Sequence, residues 1–153
     1  MTEVSEEYGR PLGGYVGIMA AYGGAVAVAA ALAVLSGKRP PERLGPLDLT
    51  LMAVSTHRLS RTLSKDPVTS PLRAPFTRFK RVSGPAEFQE EPRDTVGELV
   101  ACPFCLSQWV ATGYAAGLVL APRLTRLVGA TMTAVAVSDW LQLAYVKLMK
   151  EAQ

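Results

Sequence analysis

Between Gly14 and Ser36 the chain runs for 23 residues without one charged side chain. A bilayer core about 30 Å thick is crossed by roughly 20 apolar residues of α-helix. The segment must be helical there, because no water is present to satisfy free N–H and C=O groups. Two stretches nearer the C-terminus, Leu99–Ala121 and Pro122–Lys147, are almost as apolar. The pattern predicts an all-α protein, a small helical membrane bundle of about four transmembrane helices. A length of 153 residues leaves room for one such integral membrane domain, covering 1–153. A cleaved signal peptide fits the first run poorly. The run exceeds the usual h-region, and Glu3, Glu6 and Glu7 precede it against only Arg10.

Hydrophobic residues make up 49% of the chain, which many soluble proteins match, so their distribution decides the class. Charges collect in 37–46, 57–98 and the two termini. The net charge of +3 is therefore a local excess beside apolar segments. That placement points to anionic lipid headgroups as partners and away from nucleic acid.

The first helix is expected over about 15–35. Gly17, Ala21, Ala25, Ala29 and Ala33 fall four apart on it, a smooth stripe of the kind that lets helices approach in lipid. The stripe offers a route to a protein partner or a homo-oligomer. Ser36-Gly37 and the Lys38-Arg39-Pro40-Pro41 that follows stop the helix. A second helix is expected over about 46–64. Leu44, Leu47, Leu51 and Val54 share one stripe, and Arg58, Arg61 and Lys65 line one face of its second half. Such a helix either crosses with its basic end snorkelling or lies in the interface, leaving three crossings. Crossing is the expectation.

Residues 66–94 read as a cytoplasmic loop. Pro67, Pro71 and Pro75 exclude a regular helix over their stretch. Lys65 and the basic block Arg73, Arg78, Lys80 and Arg81 are expected to contact anionic lipid or a partner, and Glu87, Glu90, Glu91 and Asp94 follow. A third helix, 95–121, opens on Thr95-Val-Gly-Glu98, a capping-box spacing, and should bend or restart at Pro103. The fourth, 122–147, begins at Pro122, a favoured first-turn residue. Four crossings place Arg10, Lys65, Arg73, Arg78, Lys80, Arg81, Arg93, Lys147 and Lys150 on one side. Lys38, Arg39, Arg43, Arg123 and Arg126 fall on the other, which favours cytoplasmic N- and C-termini.

In that arrangement Asp139 sits roughly 12 Å inside the cytoplasmic end of the fourth helix. A carboxylate at such depth needs a partner. It is expected to meet Arg58 or Arg61, with Ser138 and Gln142 as polar neighbours, in a buried cluster. Cys102-Pro-Phe-Cys105 is the other chemical feature. A helix N-terminus can activate a thiol, so the pair suits a dithiol–disulfide switch. It equally suits half of a zinc site, with His57 and Glu98 as spare ligands, or buried packing. His57 is the only histidine. No serine–histidine–acid arrangement, phosphate loop or paired metal-binding carboxylate motif stands out; no cofactor is expected, with zinc or a redox partner as the alternative.

Four segments, taken together, resemble a known group. They are Thr56-His-Arg-Leu-Ser-Arg61, Asp66-Pro-Val-Thr-Ser-Pro-Leu-Arg-Ala-Pro-Phe76, Val96-Gly-Glu-Leu99 and Cys102-Pro-Phe-Cys-Leu-Ser-Gln-Trp109. The combination is similar to the bacterial membrane-protein family known as domain of unknown function 1360, over roughly 45–145. His57 stands where the family pattern carries an aromatic residue, and Ser107 where it carries glycine. The resemblance implies a bacterial cell membrane protein without an assigned activity; some relatives are labelled sporulation proteins. It implies no catalytic residues. The expected function is a non-enzymatic scaffold or accessory protein, with a membrane thiol redox or metal-binding protein using Cys102 and Cys105 as the alternative. A proton-coupled transporter around Asp139 ranks last, because the two halves show no repeat symmetry.

Overall fold

The computed structural model describes residues 11–84 and 87–152. Glu3, Glu6, Glu7 and Arg10, which entered the signal-peptide and orientation arguments, lie outside the described residues. The described chain is mostly helical. Helix α1 spans Leu12–Leu35 and α2 spans Pro46–Lys65. A 3₁₀ turn at Pro67–Thr69 and the single-turn helix α3 at Ser70–Arg73 follow. Strands β1 (Thr77–Val82) and β2 (Phe88–Pro92) form an antiparallel hairpin. Helices α4 (Thr95–Ala101), α5 (Pro103–Leu120) and α6 (Pro122–Glu151) complete the chain.

Two expectations are corrected here. The fold is not all-α, because 66–94 holds a two-stranded sheet in place of an irregular loop. Its prolines do prevent a long helix, yet Pro67 and Pro71 each occupy a first-turn position of a short helical piece, where no N–H is needed. The 95–121 helix restarts at Pro103 as expected, giving two helices that meet at 78°. Cys102 is extended between them (φ −104°, ψ 109°), as the residue before a proline prefers. The cap of α4 also differs. Asp94, not Thr95, is the N-cap, its Oδ1 accepting the Gly97 N–H at 2.7 Å.

Contacts fix the helix directions. α1 runs beside α4 and α5: Tyr15 donates to Glu98 at 2.5 Å, Tyr22 bonds Thr112 at 2.6 Å, and Lys38 Nζ reaches the Leu120 carbonyl. α2 runs antiparallel to α5, since Leu51 packs with Tyr114 and Leu118 while His57 and Ser60 face Phe104 and Ser107. α2 runs parallel to α6, joined by Asp48–Arg126, Ser55–Gly129 and Arg58–Asp139. Successive long helices therefore alternate in direction. α1 ends in a Schellman turn, with Lys38 N–H on Ala33 O, Gly37 N–H on Val34 O, and Gly37 at φ +65°.

Burial and apolarity run opposite to each other. α1 is the most apolar helix and none of its residues is buried. α2 carries Asp48, His57, Arg58, Arg61 and Lys65, yet it is the helix packed against both α5 and α6, burying Leu51, Ser55, Ser60 and Ser64. Small serines allow that close approach. Among the described residues α1 and α6 are long and apolar enough to cross a membrane, and the bent pair α4–α5 counts as a third if it forms one span. α2 does not pass that test, since its charged residues dilute its apolar ones.

Candidate functional site

One buried side-chain pair anchors the hairpin. An isolated two-stranded hairpin is marginal in water, so something must dock it. Arg73, at the end of α3, is 1% exposed and points at Glu90 of β2. All five guanidinium N–H groups are used. Nε donates to Glu90 Oε2 at 2.9 Å, and NH2 to Glu90 Oε1 at 2.9 Å and Asp66 O at 3.2 Å. NH1 donates to Leu63 O at 2.8 Å and Thr69 Oγ1 at 2.7 Å. Glu90 is equally saturated: Ser70 Oγ adds a bond to Oε1 at 2.7 Å, and Thr77 Oγ1 one to Oε2 at 2.7 Å. A buried ion pair is tolerable only when its remaining donors and acceptors are met, and here they are. Burial pushes the Glu90 carboxyl up, but the bonds from Arg73, Ser70 and Thr77 outweigh it and hold the group below the ordinary glutamate range.

This corrects the expectation for Arg73. It is not a lipid- or partner-contacting residue; it ties the C-terminal end of α2, the 3₁₀ turn and the hairpin together. The network draws on Asp66, Thr69, Ser70 and Arg73, all within the Asp66–Phe76 segment quoted above. Gly97 adds a second lock. A Cβ there would lie 2.2 Å from Phe76 O, so α4 sits directly on the backbone between α3 and β1.

The other basic residues are outside this knot. Arg78 pairs in register with Glu91, and Arg81 with Gln89, while Lys80 is the extra residue of a bulge between them. The bulge brings Arg81 to the same face as Arg78. Glu90, Phe79 and Phe88 take the other face, the two rings packing edge to face at 5.0 Å. Lys80 lies 3.7 Å from Glu91, and Arg81 Nε donates to Gln89 at 2.6 Å. Arg78 and Arg93 flank a groove of about 480 Å³ with Glu91 and Pro92. Lys65 closes α2 beside this module.

Of the polar cluster expected around Asp139, one contact forms. Arg58 lies 3.3 Å from Asp139 and 3.2 Å from Asp66, linking α6 to the chain just past α2. Arg61 is not part of it, because it pairs with Glu87 before β2. Gln142 reaches only Ser138, at 3.4 Å. The Asp139 side chain is 42% exposed, so the cluster is open on the α6 side, not enclosed by protein.

Cys102 and Cys105 are both free thiols. Cys102 caps α5, its sulfur accepting the Cys105 N–H at 3.2 Å, and the two sulfurs are 2.7 Å apart. His57 does not join them as a ligand set: among the described residues no group of three or more His, Cys, Asp or Glu side chains could hold a metal. His57 instead packs near Trp140, ring centroids 6.5 Å apart, and lines a cleft of about 270 Å³ with Thr56, Ser60, Arg61, Phe104 and Ser107.

Fold and site together define a mostly helical protein whose apolar helices are compatible with membrane association and whose central segment forms a docked hairpin module. Residues 51–145 match the family described as protein of unknown function (DUF1360), and the chain belongs to that family. The match starts within α2 and leaves α1 outside it. No curated protein and no solved structure matches the chain.

Proposed function

We propose that this protein is a multi-pass integral membrane protein of the bacterial cell membrane, acting as a non-enzymatic scaffold or accessory protein. α1, α2, α4–α5 and α6 cross in alternate directions, and the hairpin module shares the cytoplasmic side with both termini. The observation that carries the reading is the inversion of apolarity and burial: α1 leaves Val16, Met19, Val28 and Leu32 outside, while polar α2 occupies the interior. In water that arrangement wastes apolar surface; in lipid it is the favourable one. Charges on α2 find partners on α6 and on the hairpin module, which suits an interior helix.

Impermeant maleimide labelling of intact cells tests the topology, in a background with Cys102 and Cys105 replaced by serine. Arg43→Cys, before α2, is expected to label from outside, and Lys80→Cys, after it, only once cells are lysed. Labelling of both from the same side removes the α2 crossing.

The hairpin face Arg78, Lys80 and Arg81, with Lys65, supplies the contact to anionic lipid. Each basic side chain near such a surface contributes about 1 kcal/mol, so neutralising three weakens retention of anionic lipid by up to about a hundredfold. Full-length protein carrying Arg78→Gln, Lys80→Gln and Arg81→Gln, compared with wild type on anionic and neutral vesicles, checks this. The wild-type preference should also fade with salt. An unchanged, salt-insensitive preference counts against the lipid contact while leaving the topology intact.

A further inference from the structure

Three features meet at the α4–α5 junction. The Cys102 and Cys105 sulfurs are in contact at 2.7 Å while both remain free thiols. Cys105 is exposed and Cys102 half-buried, so the two differ in access to a reagent. The chain between them begins at a 78° break, where Cys102 is held extended by Pro103 and by its own cap on the Cys105 N–H. The thiols are therefore preset against each other by the backbone and need no helix to unwind before they meet. Such a spacing closes a small ring with little loss of chain freedom.

From these observations we infer that Cys102 and Cys105 form a dithiol–disulfide exchange site, whose co-reactant is a low-molecular-weight or protein disulfide. Cys105 is the entry thiol. It gives its proton to solvent, and its sulfur attacks one sulfur of the incoming disulfide. One S–S bond forms, one breaks, and a thiolate leaves. Cys102 then loses its proton and attacks the Cys105 sulfur of the mixed disulfide, expelling the second thiolate. The net change converts the protein dithiol to a disulfide and the partner disulfide to two thiols. Two electrons pass from the protein to the partner, and the reverse reaction restores the thiols. The inference rests on the proposed topology in one respect: the junction, seven residues into the α4–α5 crossing, lies near enough to the cytoplasmic face for Cys105 to meet water and a dissolved reagent.

Full-length protein in detergent, equilibrated with mixtures of reduced and oxidised glutathione, quenched with acid and alkylated with a maleimide, tests it. Wild type should pass from two alkylated thiols to none. Its glutathione adduct should stay at least about ten times below that of Cys102→Ser, which lacks the resolving thiol and keeps the adduct on Cys105. Cys105→Ser should react more slowly than Cys102→Ser, because the remaining thiol is half-buried. Retention of both wild-type thiols under excess oxidised glutathione overturns the proposal, and so does accumulation of two glutathiones or an intermolecular disulfide. These wild-type readings hold even if a serine variant folds poorly. Faster reaction of Cys105→Ser than of Cys102→Ser overturns the assignment of Cys105 as entry thiol.

Discussion

Arg73→Ala is expected to release the hairpin from the helices, at a cost of about 3–5 kcal/mol, the range for removing one member of a buried pair. The variant leaves Glu90 charged and buried, with Ser70 and Thr77 as its remaining partners. Trypsin cleavage at Arg78, Lys80 and Arg81 should rise by on the order of a hundredfold or more if hairpin opening precedes cutting. Trp109 and Trp140 lie on α5 and α6, so their fluorescence follows the bundle separately. Arg73→Lys should fall between, since a lysine keeps the charge and loses the five-donor fork. Cleavage of Arg73→Ala at the wild-type rate would show that the pair does not hold the hairpin. The same pair predicts an acid response. Glu90 titrates lower folded than unfolded, so its contribution is fully present above the unfolded value of about 4.3 and is lost as pH falls through the folded one. Amide hydrogen exchange over 77–92, corrected for intrinsic rate, should show that loss in wild type, and Glu90→Gln should lack the acid-dependent step.

Gly97→Ala is expected to destabilise by about 1–3 kcal/mol although alanine is the better helix former by nearly 1 kcal/mol. The reason lies in what surrounds it. The added Cβ meets Phe76 O at 2.2 Å and Phe76 C and Pro92 Cα at 3.2 Å, all of them backbone. Backbone cannot rotate aside as a side chain can, so α4 must lift from the hairpin. Gly113→Ala is the matched control, because nothing lies within 4 Å of its Cβ, and it should be neutral or slightly stabilising. Thermal unfolding of both variants in one detergent decides the matter. A Gly97→Ala protein as stable as wild type would mean that α4 and the hairpin are not in close register.

Much of the helical frame could be read from residue patterns alone. The charge-free run and the Gly37 stop place α1 to within a few residues, and Pro46 and Pro122 mark the starts of α2 and α6. The hairpin was not legible. Its strand Thr77–Val82 has Arg78, Lys80 and Arg81 in a row broken by a bulge, which hides the period-two alternation that marks a half-buried strand. Arg73 was misplaced for a related reason. It sits in a basic stretch that looks solvated, and its partner Glu90 is 17 residues away within a run of acids that looks the same. The one local hint was the density of short hydroxyl side chains beside Arg73, namely Thr69, Ser70 and Thr77, which are suited to satisfying a buried charge. The Arg58–Asp139 contact was legible because an acid within an apolar helix demands a cation. Arg58 and Arg61 stood as equal candidates, since only a three-dimensional register separates positions three apart on one helix, and that register gives Arg58 to Asp139 and Arg61 to Glu87.

The loose attachment of α1 has a consequence for how the molecule is built. The interior formed by Leu51, Tyr114 and Leu118 contains no residue from it; it leans on α4 and α5 along one flank, through hydrogen bonds of Tyr15 and Tyr22, the Tyr22–Trp109 ring contact and the close approach of Gly14 to Thr95. The body it leans on is built from elements later in the chain, which supply the buried side chains. The leading helix is an outrigger to that body, and most of its apolar surface is left to whatever surrounds the molecule.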